Sequence, residues 1–203
     1  MNHQRKIAVC LVSGGMDSCV CATLAAQNYQ LAFFHANYGQ RTQHKELACF
    51  HALADYFKAS ARLVVDFEHL KVIGGTSLLS NGPSVPTSPI QDNQSIPSTY
   101  VPFRNGLLLA TAAAWSEVLG ASRIFFGAVE QDSSGYPDCR IEFVTAMNSA
   151  IRAGTKPGNE VIIEVPLISK SKMQIVHLAQ QLGAPLELTW SCYQAEEKSM
   201  WQM

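Results

Sequence analysis

Charge is scarce and almost balanced in this sequence: 16 acidic and 15 basic residues in 203, for a net charge of −1. With no long basic run, an electrostatic grip on duplex nucleic acid is excluded, while a small basic pocket for a phosphate group is not. No apolar stretch reaches the roughly 18 residues of a membrane-crossing helix. The polar start, Met1 to Lys6, runs straight into a strand pattern, so neither a span nor a secretory signal is expected. A disulfide framework is missing as well: the six cysteines, at 10, 19, 21, 49, 139 and 192, are scattered. Cys19 and Cys21 flank a single residue on an expected helix and point to different sides, a poor metal pair. Cys10, Cys19, Cys21 and Cys49 lie in apolar-periodic segments, where a free thiol acts as a small hydrophobe. A reduced, cytoplasmic protein is the economical reading. The six histidines show no metal spacing, and His35, within an apolar strand, reads as a core residue.

What is present is a globular composition, 47% hydrophobic, and a regular alternation. A short continuous apolar run at Ile7–Val12 predicts a strand buried on both faces, and further strands are predicted at Leu31–Asn37, Ala61–Asp66, Arg123–Gly127 and Val161–Val165. Helices are predicted between and after them, over Asp17–Gln27, Thr42–Lys58, Asn105–Gly120, Cys139–Gly154 and Ser171–Leu182. Such βα units predict a doubly wound parallel α/β sheet in a single domain over 1–203. The stretch from Lys71 to Thr99 breaks the rhythm with four prolines, Pro83, Pro86, Pro89 and Pro97, and is expected to be a mobile lid. No element is expected after Pro185.

At the first strand–helix junction stands Ser13-Gly14-Gly15-Met16-Asp17-Ser18. Glycines there let the backbone turn tightly and bring N–H groups toward an anion. The following helix adds unpaired N–H groups and the positive end of its dipole, and the Ser13 and Ser18 hydroxyls add donors. The loop suits pyrophosphate. It is not a Walker A loop, which needs a lysine after its glycines, nor the dinucleotide fingerprint, which needs a third glycine.

These six residues resemble the SGGxDS signature of the N-type ATP pyrophosphatases (PP-loop enzymes), which cleave ATP between the α and β phosphates while adenylating a substrate. The resemblance implies the adenine nucleotide alpha hydrolase-like form of the α/β fold. It also implies that the loop holds the departing pyrophosphate and that Asp17 organises a magnesium ion. Further segments narrow the likeness: Asn37-Tyr38-Gly39-Gln40-Arg41, Val101-Pro102-Phe103-Arg104-Asn105, Gly135-Tyr136-Pro137-Asp138-Cys139-Arg140, Pro166-Leu167 with Lys172, and Thr189-Trp190-Ser191-Cys192-Tyr193. In this order the chain is similar to the 7-cyano-7-deazaguanine (preQ0) synthase family of queuosine biosynthesis.

That likeness implies 7-carboxy-7-deazaguanine, ammonia and ATP as substrates. Adenylation turns one carboxylate oxygen into a leaving group, ammonia gives the amide, and a second activation on the amide oxygen leaves the nitrile. Arg104 and Arg41 are candidates for phosphate or carboxylate oxygens, and Lys172 for charge on the transferring phosphoryl group. Asp138 is a candidate acceptor for the N1–H and exocyclic amine of the deazaguanine, with a helix N-cap as its ordinary role. Asn105 and Arg140 flank these positions as substrate-site candidates, and Tyr38 and Tyr136 could stack on a flat ring. A homodimer is implied, and no nucleic-acid or membrane partner. Two alternatives stay open: another adenylating amidotransferase, and a nucleotide-binding relative without catalysis.

The same family pattern has a structural four-cysteine zinc site near the C-terminus, of which only Cys192 is matched. The expectation is therefore a truncated zinc lobe, from about residue 188, that binds no zinc. Read one nucleotide out of frame, the codons for Met200-Trp201-Gln202-Met203 give a cysteine-containing run, so a frameshift at about Lys198 to Ser199 is suspected. Intact mass tests that suspicion.

Overall fold

All five predicted strands form, and all run parallel. In this computed structural model, residues 5–77, 99–129, 136–158 and 160–190 are described. The strands are β1 (Ile7–Leu11), β2 (Gln30–Asn37), β3 (Ala61–Asp66), β4 (Arg123–Phe125) and β5 (Ile162–Glu164). They form one sheet in the order β3-β2-β1-β4-β5. In the central register Ala8 lies between Leu31 of β2 and Arg123 of β4.

The period-2 alternation of β1 divides the core into two layers. Val9 and Leu11 face one side, with α4 (Arg104–Leu119) and α5 (Ile141–Gly154) contributing Leu109, Ala112, Val144 and Ile151. Ala8, Cys10 and Val12 face the other. There α1 (Met16–Ala26), α2 (Gln43–Tyr56) and α6 (Lys172–Leu182) supply Val20, Phe50, Leu53 and Ile175. Cys10, Cys19 and Cys21 are buried in this second layer. Burial pushes their thiols up, Cys19 to about 12, so they stay protonated hydrophobes as expected.

After β3 the chain crosses to the far side of β1 before laying down β4. The strand order therefore reverses between β1 and β4, and the carboxyl ends of those two strands flank the crevice where α/β sheets place ligands.

The structure departs from the expected elements in a few places. The segment expected to be a lid begins inside a helix, α3 (Glu68–Ile73), anchored by the buried Leu70. Residues 78–98 of the expected lid lie outside the described residues. The helix predicted from Cys139 starts at Ile141, because Pro137–Cys139 form a separate 3-10 turn. A second 3-10 turn, Leu186–Leu188, lies in the tail where none was expected. No helix among the described residues is long and apolar enough to cross a membrane.

Candidate active site

The glycine-rich loop leaves β1 at Ser13 and enters α1 at Met16. Gly14 has φ +86°, and a Cβ there would lie 2.7 Å from the Glu46 carbonyl oxygen of α2. Only glycine both adopts this turn and lets the loop press against α2. Gly15 is the N-cap of α1 and supplies no side-chain cap to its first turn. The two serines hold the loop from within: the Ser18 hydroxyl donates to the Gly15 carbonyl at 2.8 Å, and Ser13 Oγ donates to Ser18 Oγ at 3.3 Å. Met16 is buried beneath.

Asp17 and Lys172 meet across 155 residues of sequence, with Lys172 Nζ 3.0 and 2.9 Å from the two carboxylate oxygens. A lysine at a helix N-terminus opposes the helix dipole. A capping box offsets this: Ser171 Oγ accepts from Gln174 N at 3.3 Å, and Gln174 Oε1 accepts from Ser171 N at 2.8 Å. The start of α6 is thereby fixed with Lys172 beside the loop. Asp17 is a hard oxygen donor at the edge of a phosphate-shaped loop. With phosphate oxygens and water it fits one magnesium ion.

Gly127, just beyond β4, was not singled out from the sequence. A Cβ there would lie 3.1 Å from the carbonyl carbon and oxygen of Asp17 and 3.2 Å from Ser18 N. The chain leaving β4 thus lies directly against the first turn of α1. The only sequence signal was a glycine at the carboxyl end of a strand.

A second cluster stands at the start of α4. Arg104 Nη1 donates to the Tyr38 hydroxyl at 2.9 Å, with the guanidinium carbon 5.2 Å from the Tyr38 ring centroid. Burial raises the Tyr38 phenol and Arg104 opposes the rise, so the hydroxyl keeps its own proton to donate. Arg104 Nη2 also donates to Asn105 Oδ1 at 3.4 Å. Asn105 N donates to Asp138 Oδ2 at 2.9 Å, and Asn105 Nδ2 lies 3.2 Å from Cys139 Sγ. Asp138 is 3% exposed, and its second oxygen, Oδ1, has no hydrogen-bond partner among the described residues. Burial raises its carboxyl above the usual range, against the Asn105 hydrogen bond and the Arg104 charge. The helix-cap role open to Asp138 is corrected here, because Arg140 occupies the cap position of α5 and Asp138 turns inward to the start of α4.

Tyr38 is held by its loop: Gln40 Oε1 accepts from Tyr38 N at 2.8 Å, and Gln40 Nε2 donates to Glu46 at 3.1 Å. Of the other expected residues, Tyr136 borders this cluster, its carbonyl accepting from Cys139 N at 3.1 Å. Arg41 is exposed and donates through Nε to the Ser77 carbonyl at 3.3 Å. Tyr136 packs on Tyr100, ring centroids 5.8 Å apart, and bonds Thr99. Arg140 is exposed. Cys192 lies outside the described residues. Among those described, no group of three or more His, Cys, Asp or Glu could hold a metal ion.

A sequence model of the queuosine biosynthesis protein QueC matches residues 7–201. The chain belongs to the QueC family. A 7-cyano-7-deazaguanine synthase of Chlorobium phaeobacteroides is 50% identical over 193 residues, 95% of this chain and 85% of that protein. One from Koribacter versatilis is also 50% identical over 193 residues, 94% and 81% of the two lengths. As a QueC-family member the protein is an enzyme of the ATP-dependent C–N ligase kind. Among solved structures, the U34-tRNA thiolase NcsA of Methanococcus maripaludis superposes with a TM-score of 0.53 at 18% identity. That match covers 95% of this chain and 61% of the thiolase, and it supports the fold alone.

Proposed function

We propose that this protein converts 7-carboxy-7-deazaguanine and ammonia to 7-cyano-7-deazaguanine, using ATP through adenylated intermediates. The observation that carries the reading is the buried Asp138, one of whose carboxylate oxygens has no partner among the described residues, within the charge reach of Arg104 and at the same strand ends as the phosphate loop. A deazaguanine presents two adjacent donors, N1–H and the exocyclic amine, on its pairing edge. A carboxylate matches that edge, and Arg104 matches the substrate's own carboxylate.

In this reading the loop N–H groups and the two serine hydroxyls receive the β and γ phosphates. Lys172 turns from Asp17 toward the phosphoryl oxygens as charge builds on the departing pyrophosphate. Asp17 would hold magnesium, which supplies charge neutralisation when bound. The substrate carboxylate attacks the α phosphorus, pyrophosphate leaves, and ammonia displaces AMP to give the amide. A second adenylation, on the amide oxygen, lets AMP carry that oxygen away as the nitrogen loses its protons and the nitrile forms. The family likeness also supports a homodimer, which sedimentation at micromolar concentration would check.

The test is turnover with 7-carboxy-7-deazaguanine, ammonium and ATP, following AMP, pyrophosphate and nitrile together. All three are expected. ADP and phosphate in place of AMP and pyrophosphate would sink the adenylation route. Nucleotide binding without turnover would favour a catalytically silent relative. Lys172→Met is expected to lower kcat by about a hundredfold or more, the scale of losing one electrostatic contact made in the transition state, with the thermal midpoint kept.

A further inference from the structure

We infer that Trp190 is a positioning residue for the phosphate loop, acting through its backbone amide. After the Leu186–Leu188 turn the chain comes back to the loop, and Trp190 N donates to the Gly14 carbonyl at 2.9 Å. The Trp190 carbonyl also lies 3.6 Å from where a Gly15 Cβ would be, so the two backbones lie flank to flank. The Trp190 ring is held from α2, with Lys45 Nζ 4.1 Å from its centroid.

The consequence follows from the geometry of one peptide plane. In a trans peptide the C=O and the N–H point in opposite directions. The Gly14 carbonyl and the Gly15 N–H belong to the same plane, so a donor that fixes the carbonyl fixes the amide as well. With Trp190 holding the Gly14 oxygen, the Gly15 N–H is turned to the opposite side, where it donates to Ser13 Oγ at 3.3 Å. That is the side on which the loop serines and the first turn of α1 offer their donors.

A glycine–glycine peptide needs such a lock. Neither residue has a Cβ, so rotation of the plane meets little steric resistance. The rotated plane would aim a carbonyl oxygen at the anion in place of an N–H. The lock comes from a residue more than 170 positions away in sequence.

The inference rests on the loop being the pyrophosphate site, and the experiment separates the two. Pyrophosphate with magnesium, and AMP as a second probe, are titrated by calorimetry into the wild-type chain and into Trp190→Pro and Trp190→Ala. Proline removes the amide donor, and alanine removes only the ring. Expected is a loss of at least about tenfold in pyrophosphate affinity for Trp190→Pro, the scale of one hydrogen bond to a charged group. Trp190→Ala should lose less than about threefold, and AMP affinity should move in neither variant. If wild type binds no pyrophosphate, the loop assignment fails. If wild type binds and Trp190→Pro binds equally well, or Trp190→Ala loses as much, the peptide lock fails. Should Trp190→Pro not fold, the wild-type amides decide. The Trp190 N–H must be protected from hydrogen exchange, and the Gly15 amide resonance must shift on adding pyrophosphate. A freely exchanging Trp190 amide, or an unmoved Gly15 signal, overturns the inference.

Discussion

Asp138 is retained at a cost to the fold. Its carboxyl is raised by burial, so the folded protein binds a proton at pH values where the unfolded chain has released it. Stability therefore falls as pH rises from the ordinary aspartate range through the folded value, and at neutral pH the buried charge is a net burden. Asp138→Asn removes the charge and keeps an oxygen for the Asn105 amide. The thermal midpoint should hold or rise, while KM for 7-carboxy-7-deazaguanine should rise about tenfold or more, since an amide presents only one acceptor to two donors. An unchanged KM would remove Asp138 from the substrate site. His35 behaves in the opposite sense. Its Nδ1 lies 2.8 Å from the Val12 carbonyl, and burial lowers its pKa, partly offset by that hydrogen bond and by Glu46, while the His51 charge lowers it further. The unfolded chain thus takes up this proton first, and stability should decline as pH falls below about 6.5. Chemical denaturation between pH 5 and 8 would show this slope, and His35→Phe should flatten it.

Elements carry the site more than single side chains do. α1 offers its first turn, α6 brings Lys172 to it, and the end of β4 lies against it through Gly127. Gly127→Ala places a Cβ within 3.1 Å of the Asp17 backbone, closer than ordinary contact, so the start of α1 must shift by a few tenths of an ångström. An approximately tenfold fall in kcat/KM for ATP is expected, with kcat/KM measured beside thermal unfolding to separate site from fold. Full activity would mean that the first turn tolerates the shift. Phe103 sets the start of α4 differently. It takes a left-handed conformation, φ +54°, with its N–H donating to the Tyr100 hydroxyl at 2.9 Å. A Cβ on Gly106 would strike its ring at 2.4 Å. Strain of about 1 kcal/mol at a non-glycine residue is tolerated here because the turn delivers Arg104 and Asn105 together.

Across the whole molecule, legibility followed the range of the interaction. The strands were readable because β1 and β2 are buried on both faces and their apolar runs are local. The loop was readable because its residues are consecutive and their chemistry is shared with a known signature. α3 was not: six residues with a single buried leucine leave no periodicity to detect. Gly127 was missed, and Trp190 was quoted only within a family segment and given no role, for another reason. Each acts through backbone approach to a residue far away in sequence, and neither spacing nor residue type announces such a contact. The pair Asp17–Lys172 was half readable, each member being named as a candidate and their meeting set by the α1–α6 packing. The inward turn of Asp138 depended on a 3-10 turn that the sequence did not distinguish from the helix after it.

The reversal of strand order has a consequence for synthesis. β1 pairs on one side with β2, which follows within the next 30 residues, and on the other with β4, whose Arg123 lies opposite Ala8. A ribosome adding about 5–20 residues per second needs on the order of ten seconds to reach β4 after making β1. Through that interval the nascent chain carries the most apolar strand of the protein with one edge open to any passing partner. Translation speed and chaperone supply thus bear on its yield as directly as any residue in its site.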